Sequence, residues 1–269
     1  MPGPPTQRLS RRALLRGALV GGGGLAAAAL LGCDDDGLDG GNGAMTSKTA
    51  EWAYEGARGP EHWAVLAEAY SDCGGRAQSP VDIAGHVEGA LEPLVFSYAT
   101  PANVARTSGP FIYADYPAGN TLVSAGHTYG LVQMHMHAPS EHTVAGEQFA
   151  AELHLVHADE AGALAVVGLL FALGEASEGI QAFLDAAPPS GETAEGVAID
   201  PGTYVPADAA CYRYDGSLTT PPCSEGVAWH VLRETRTVSQ AQVDALVEIG
   251  GGPTNRPVQP LHGRAITLA

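Results

Sequence analysis

The sequence predicts a mainly β protein of the α+β class, folded as a single domain. Three observations carry this. Short apolar segments alternating with polar residues recur along most of the chain, and helical periodicity is confined to three modest stretches. Beyond residue 50 there is no repeat, low-complexity stretch or second shift of composition that would mark another domain. At 269 residues and 45% hydrophobic content the chain can enclose one sizeable core.

The N-terminal segment comes first. Arg8, Arg11, Arg12 and Arg16 precede an apolar, Gly/Ala-rich run from Ala18 to Leu31, with no acid among them. This is the order of an export signal over residues 1–32, and the run is too small and glycine-rich to read as a spanning helix. Ser10 to Arg16 resembles a twin-arginine signal, and Leu30 Leu31 Gly32 Cys33 resembles a bacterial lipobox with Cys33 as the residue to be acylated. The expectation is an exported protein, periplasmic or at the cell surface, held to a bacterial membrane by an N-terminal lipid. Residues 33–49, rich in Asp and Gly, form an expected flexible tether, because they offer too little apolar surface to offset the entropy of ordering. The folded domain is then 50–269.

Removal of the signal leaves nine basic against thirty acidic residues, a net charge of −21. Such a surface repels phosphate backbones, so nucleic acid is excluded as a partner. Cys73, Cys211 and Cys223 remain beyond the lipobox, an odd number in a compartment where disulfides persist. One pair and one free thiol is the simplest arithmetic.

Along the domain, period-two runs predict strands at 94–98, 111–116, 129–137, 149–157, 163–173 and 227–236, many of them separated by Gly, Pro or Asp. Helices are predicted over 61–70, 177–187 and 239–249, packed at the periphery. Ser177 and Ser239 open the last two as N-caps.

Two of the strands carry a metal-ligand pattern. In 129–137 the side chains alternate, so Gln133, His135 and His137 share one face while Met134 and Met136 take the other. In 149–157 Glu152, His154 and Val156 share a face. An antiparallel pairing of the two strands brings His154 to the point where His135 and His137 converge. Three imidazoles with an open fourth position suit a catalytic zinc ion, one per chain. Gln133 and Glu152 each precede a ligand by two residues on the same face, where they can fix the tautomers of the rings. A lone His-x-His pattern is more often structural, and the second strand with its carboxylate shifts that judgement. His157 has the opposite parity to His154 and His142 follows a turn, so both are read as structural.

Around these residues the chain resembles a known family. The segments Gln133 to His137, Ser140 to Val144, Ala151 to His157 and Ser217 to Pro222 look like signatures of the α-class carbonic anhydrases. The likeness extends from Trp52 Ala53 Tyr54 and Pro60 to Trp63, through Gln78 to Ile83, to Arg256 to Leu261. It implies a large twisted, mostly antiparallel sheet with short peripheral helices, and a zinc cone on the central strands. The implied activity is reversible hydration of carbon dioxide to bicarbonate and a proton, with hydroxide formed at the zinc as nucleophile. The resemblance makes Thr219 the orienting hydroxyl and Glu141 the acceptor of its proton. It nominates Val156, Val166, Leu218, Thr220, Val227 and Trp229 as the substrate pocket, of which only Val156 also follows from strand parity. Tyr54 is assigned to the cavity, and Cys73 with Cys223 to a disulfide that would brace the loop carrying Thr219.

The chain also departs from the family pattern. Where fast members carry a proton-shuttling histidine after a turn, the sequence reads Thr107 Ser108 Gly109 Pro110. Pro110 carries no proton, so a modest turnover dependent on external buffer is expected. Met136, Ala138 and Ala158 stand where aromatic residues are common in the family, and Cys211 is expected as a buried free thiol. A catalytically silent binding module is opposed by the presence of all three histidines with Glu141 and Thr219, and another class of zinc hydrolase by the absence of a His-Glu-x-x-His helix. The sequence leaves open whether the domain forms a homodimer.

Overall fold

The computed structural model describes residues 50–206 and 209–268. The export signal, the tether and Cys33 lie outside them. Among the described residues no helix is long and apolar enough to cross a membrane.

Among the described residues a thirteen-stranded mixed sheet forms the body of the fold. Its main path runs Thr193–Ile199, Ala102–Ser108, Phe111–Asp115, His127–His137, Ala151–Ala158, Leu164–Leu173, Glu225–Leu232, Cys211–Ser217, Thr267–Leu268 and Val87–Glu88. Most neighbours are antiparallel. The exceptions on this path are Leu164–Leu173 beside Glu225–Leu232 and Thr267–Leu268 beside Val87–Glu88, both parallel. Ala151–Ala158 sits near the middle and is buried along its whole length, on both faces.

Strand parity divides the core. Met134, Met136, Leu153, Leu155, Val167 and Leu169 point to one side, where Ile180, Phe183 and Leu246 of two helices cover them. Val156, Val166, Val227, Trp229 and Tyr214 pack on the other. The two helices are Glu178–Asp185 and Gln240–Gly250, and each begins with the expected serine: Ser177 Oγ accepts from Ile180 N–H, and Ser239 forms a reciprocal capping box with Gln242.

Two expectations are corrected. The helix read over 61–70 is a single α turn, Trp63–Leu66, followed by a 3-10 stretch, Glu68–Gly74. Cys73 is tied to Cys223 at its end, so docking replaces helical continuity. The strand read over 227–236 stops at Leu232, and Arg236–Val238 forms a separate strand against Leu164–Leu173. Strands Ala102–Ser108, Thr193–Ile199 and Cys211–Ser217 went unread, because their polar and glycine content hides the alternation.

Candidate metal centre

The two ligand strands are antiparallel neighbours, and His154 stands directly opposite His135, while Glu152 stands opposite His137. The three imidazole centroids lie 4.6–5.2 Å apart. One nitrogen from each of His135, His137 and His154 falls within 4.8 Å of the others.

Each ring is held by its other nitrogen. His135 Nδ1 is 2.9 Å from Gln133 Oε1, His137 Nδ1 is 2.6 Å from the Thr254 carbonyl, and His154 Nε2 is 2.9 Å from Glu152 Oε1. The remaining nitrogens are therefore Nε2, Nε2 and Nδ1. His137 Nε2 is buried with no hydrogen-bond partner, a state that costs free energy unless something electropositive occupies the space before it. Burial holds the His137 imidazole down to a pKa of about 3, with His154 nearby adding to the effect. Burial likewise lowers His135, helped by His137 and His154. Neutral imidazoles with outward lone pairs are the form that binds a metal ion, so the donor set fits zinc.

A second grouping of potential ligands, His142, Glu152 and His154, is closed by its own hydrogen bonds. Glu152 Oε1 accepts from His142 Nδ1 at 2.7 Å as well as from His154, and Oε2 accepts the backbone N–H groups of Glu141 and His142 at 2.9 and 2.8 Å. Burial opposes the charge of this carboxylate, yet His142 and His154 bring its pKa well below the usual carboxylate range. The network continues from His142 Nε2 to Tyr214 Oη at 2.6 Å and on to Ser79 Oγ at 2.9 Å. Ser79 Oγ accepts from Ser217 N–H and Ser217 Oγ from Ser79 N–H, at the entrance to the loop that carries Thr219.

Glu141 and Thr219 are both buried beside the histidines. Glu141 Oε1 accepts from the Arg256 backbone N–H at 2.9 Å, and Oε2 lies 3.4 Å from His137 Nε2. Burial raises the Glu141 pKa, and the Thr219 hydroxyl is the leading influence against that rise. Among the described residues no hydrogen bond reaches Oε2, so the carboxylate retains acceptor capacity there.

The residues nominated for the pocket gather in one place. Val156, Val166, Val227 and Trp229 belong to a single buried cluster against which Leu218 packs. Val156, Val166 and Trp229 are consecutive partners across three strands, and the Trp229 ring lies 4.9 Å from that of His154. Thr220 is half-buried in the same loop, where its carbonyl accepts from Cys223 N–H at 2.9 Å. Tyr54 reaches the other side of the histidines through Phe111, 6.2 Å away between ring centroids.

Three comparisons with known proteins bear on this arrangement. The family pattern described as eukaryotic-type carbonic anhydrase matches residues 58–269. A carbonic anhydrase of Pectobacterium atrosepticum is 36% identical over 226 residues, covering 83% of this chain and 93% of the relative. This chain belongs to the α-carbonic anhydrase family of enzymes. Among solved α-carbonic anhydrases, a hyperthermostable one from an active hydrothermal vent chimney superposes with a TM-score of 0.79 at 40% identity, covering 81% of this chain and 99% of the other. The α-carbonic anhydrase of Thermovibrio ammonificans, solved with the inhibitor sulfanilamide, gives 0.78 at 38% identity, with 81% and 99% covered.

Read as an α-carbonic anhydrase, the chain holds several supporting residues that sequence reasoning did not single out. Thr254 comes from the C-terminal segment, more than a hundred residues from the ring it orients, and no local signal marks it. Gly168 stands opposite His154; a Cβ there would lie 2.9 Å from Glu152 Oε1, so only glycine leaves the carboxylate its place. Arg256 is buried and donates to Gln78 Oε1, the Ser79 carbonyl and the Cys73 carbonyl, joining the disulfide to the segment that fixes Glu141. Cys73 and Cys223 are bonded, and Cys211 is a buried free thiol. His157 binds Tyr98 Oη at 2.7 Å, away from the metal face, in keeping with its parity.

Proposed function

We propose that this α-carbonic anhydrase catalyses the reversible hydration of carbon dioxide to bicarbonate and a proton, with one zinc ion held by His135, His137 and His154. The observation that carries the reading is the triplet of imidazoles, each anchored by one nitrogen and leaving the other directed at a shared point. Zinc bound there acts as a Lewis acid that lowers the pKa of water to about 7, which makes a nucleophile available at neutral pH.

The chain supplies the orientation. Glu141, whose Oε1 accepts the Arg256 N–H, would accept a hydrogen bond from the Thr219 hydroxyl on Oε2, the oxygen with no other partner. The Thr219 oxygen is then left as an acceptor and aligns the nucleophile's lone pair with the substrate. Val156, Val166, Leu218, Val227 and Trp229 give carbon dioxide, which has no hydrogen-bond donor, an apolar wall in contact with His154. Gln133 and Glu152 keep the rings of His135 and His154 in the tautomer that leaves the ligating nitrogen unprotonated. Pro110 has no titratable group, so the proton released in each turnover passes to buffer. Export and attachment through Cys33 belong to the same proposal, and the Cys73–Cys223 bridge supports an oxidising compartment.

The test is metal analysis followed by stopped-flow hydration of carbon dioxide over a range of imidazole-type buffer. One zinc per chain and turnover that climbs with buffer are expected, with Pro110→His reducing the dependence. A zinc-loaded protein without hydration activity overturns the reading. Fast, buffer-independent turnover overturns the role given to Pro110 alone.

A further inference from the structure

We infer that Phe111 and Tyr113 form a rigid aromatic wall that selects which ligands reach the metal centre, passing small ones and rejecting those with a bulky aromatic body. The inference rests on the zinc reading above and adds the factor that sets its specificity.

The register places the wall. Arg106, Tyr113, His135 and His154 are successive partners across four strands, so they stand in one row on one face of the sheet. Phe111 precedes Tyr113 by two residues and shares that face. Its ring lies 4.9 Å from His137 and 5.4 Å from His135, while Tyr113 lies 5.5 Å from His135 and 5.8 Å from Phe111. Along the row exposure rises, from the His154 side chain at 2% to the Arg106 side chain at 21%. The row therefore runs from the floor of the site to its lip, with Tyr113 between.

Tyr113 is also clamped. The Arg106 guanidinium sits 3.9 Å over its ring centroid and donates to both oxygens of Asp115, at 2.8 and 3.3 Å. Swinging the ring aside would forfeit the cation–π stack. The guanidinium covers one face of the ring and His135 packs beside it at a tilt, so the chain itself holds Tyr113 in place and the ring acts as a barrier. Across the histidines stand the aliphatic residues of the pocket and Trp229. The candidate metal centre thus lies between the aromatic rings of Phe111 and Tyr113 on one side and the apolar residues of the pocket on the other.

The experiment compares two sulfonamide probes by calorimetry on the zinc-loaded protein: methanesulfonamide and naphthalene-1-sulfonamide. Tyr113→Ser should raise affinity for the naphthyl probe by about tenfold while methanesulfonamide stays within about twofold. Tyr113→Phe should bind both as the parent does, because the ring remains. Arg106→Gln, a change at the partly exposed lip that leaves the core untouched, should move the naphthyl affinity in the same direction and less far. An unchanged ratio of the two affinities in Tyr113→Ser and Arg106→Gln overturns the wall while leaving the zinc reading intact. A parent protein that takes up no zinc binds neither probe and overturns both.

Discussion

Every oxygen lone pair of Glu152 has a donor directed at it: two ring nitrogens on Oε1 and two backbone N–H groups on Oε2. Such saturation lets a carboxylate stay ionised where it is buried, and in the proposed zinc site it would fix the tautomer of His154. Glu152→Ala would leave four buried groups without an acceptor. Zinc affinity should fall by about 10–100-fold in a chelator competition, the range for loss of an outer partner of a ligand. Urea unfolding of the same variant should show a loss of at least about 1–3 kcal/mol, the cost of leaving a buried polar group unsatisfied. A variant with parental zinc affinity would show that Glu152 does not orient His154. Gln133 plays the lighter part, with a single contact to a ring that is half-buried.

At the scale of elements, the loop from Leu218 to Ser224 is short of regular structure and is held by one bond across its ends and by two supports from outside. Leu218 N–H donates to the Ser224 carbonyl, Gln78 Nε2 to the Cys223 carbonyl, and the disulfide reaches across 150 residues to Cys73. Closing so long a loop restricts the unfolded chain, by about 2–4 kcal/mol in typical cases. Cys73→Ala/Cys223→Ala should unfold at lower urea by that margin. It should also lose hydration activity by a larger factor than zinc affinity, because the bridge braces Thr219 and not the ligand strands. Equal losses in both would place the bridge's role elsewhere. The ligand strands need no such brace, since each is paired on both sides.

The whole molecule also buries histidines away from the candidate metal centre. His157, bonded to Tyr98 Oη, and His230, 2.8 Å from Ser124 Oγ, are driven by burial to pKa values of about 3 and about 4. In the unfolded chain both return to about 6.5. The folded values are the lower ones, so below pH 6.5 the unfolded state takes up protons that the folded state refuses. Their contribution is present above that pH and is lost as the pH falls toward 4 and then 3, at about 1.4 kcal/mol per histidine per pH unit. Urea midpoints should drop between pH 7 and pH 5, and a His157→Gln/His230→Gln variant should drop less. If parent and variant show the same slope, these two histidines do not set the acid limit.

What the sequence determined by itself was whatever strand periodicity or short spacing encodes. His135, His137 and His154, with Gln133 and Glu152, were legible because alternation at a period of two sorts side chains by face before any pairing is known. The strand-rich class was legible for the same reason, and the serine caps because an N-cap is a local hydrogen bond. The roles expected of Thr219, Glu141 and the pocket came from likeness to a family, since a turn threonine or a loop acid carries no signal of its own. Only the tertiary structure decided the register that sets His154 against His135, the reach of Thr254 to His137, and the vacancy at Gly168 that admits Glu152. It also decided that Arg106, Tyr113 and His135 form one row. These depend on contacts between segments far apart in the chain, and such contacts are selected by packing and hydrogen-bond satisfaction in the folded core, which no local pattern of residues can specify.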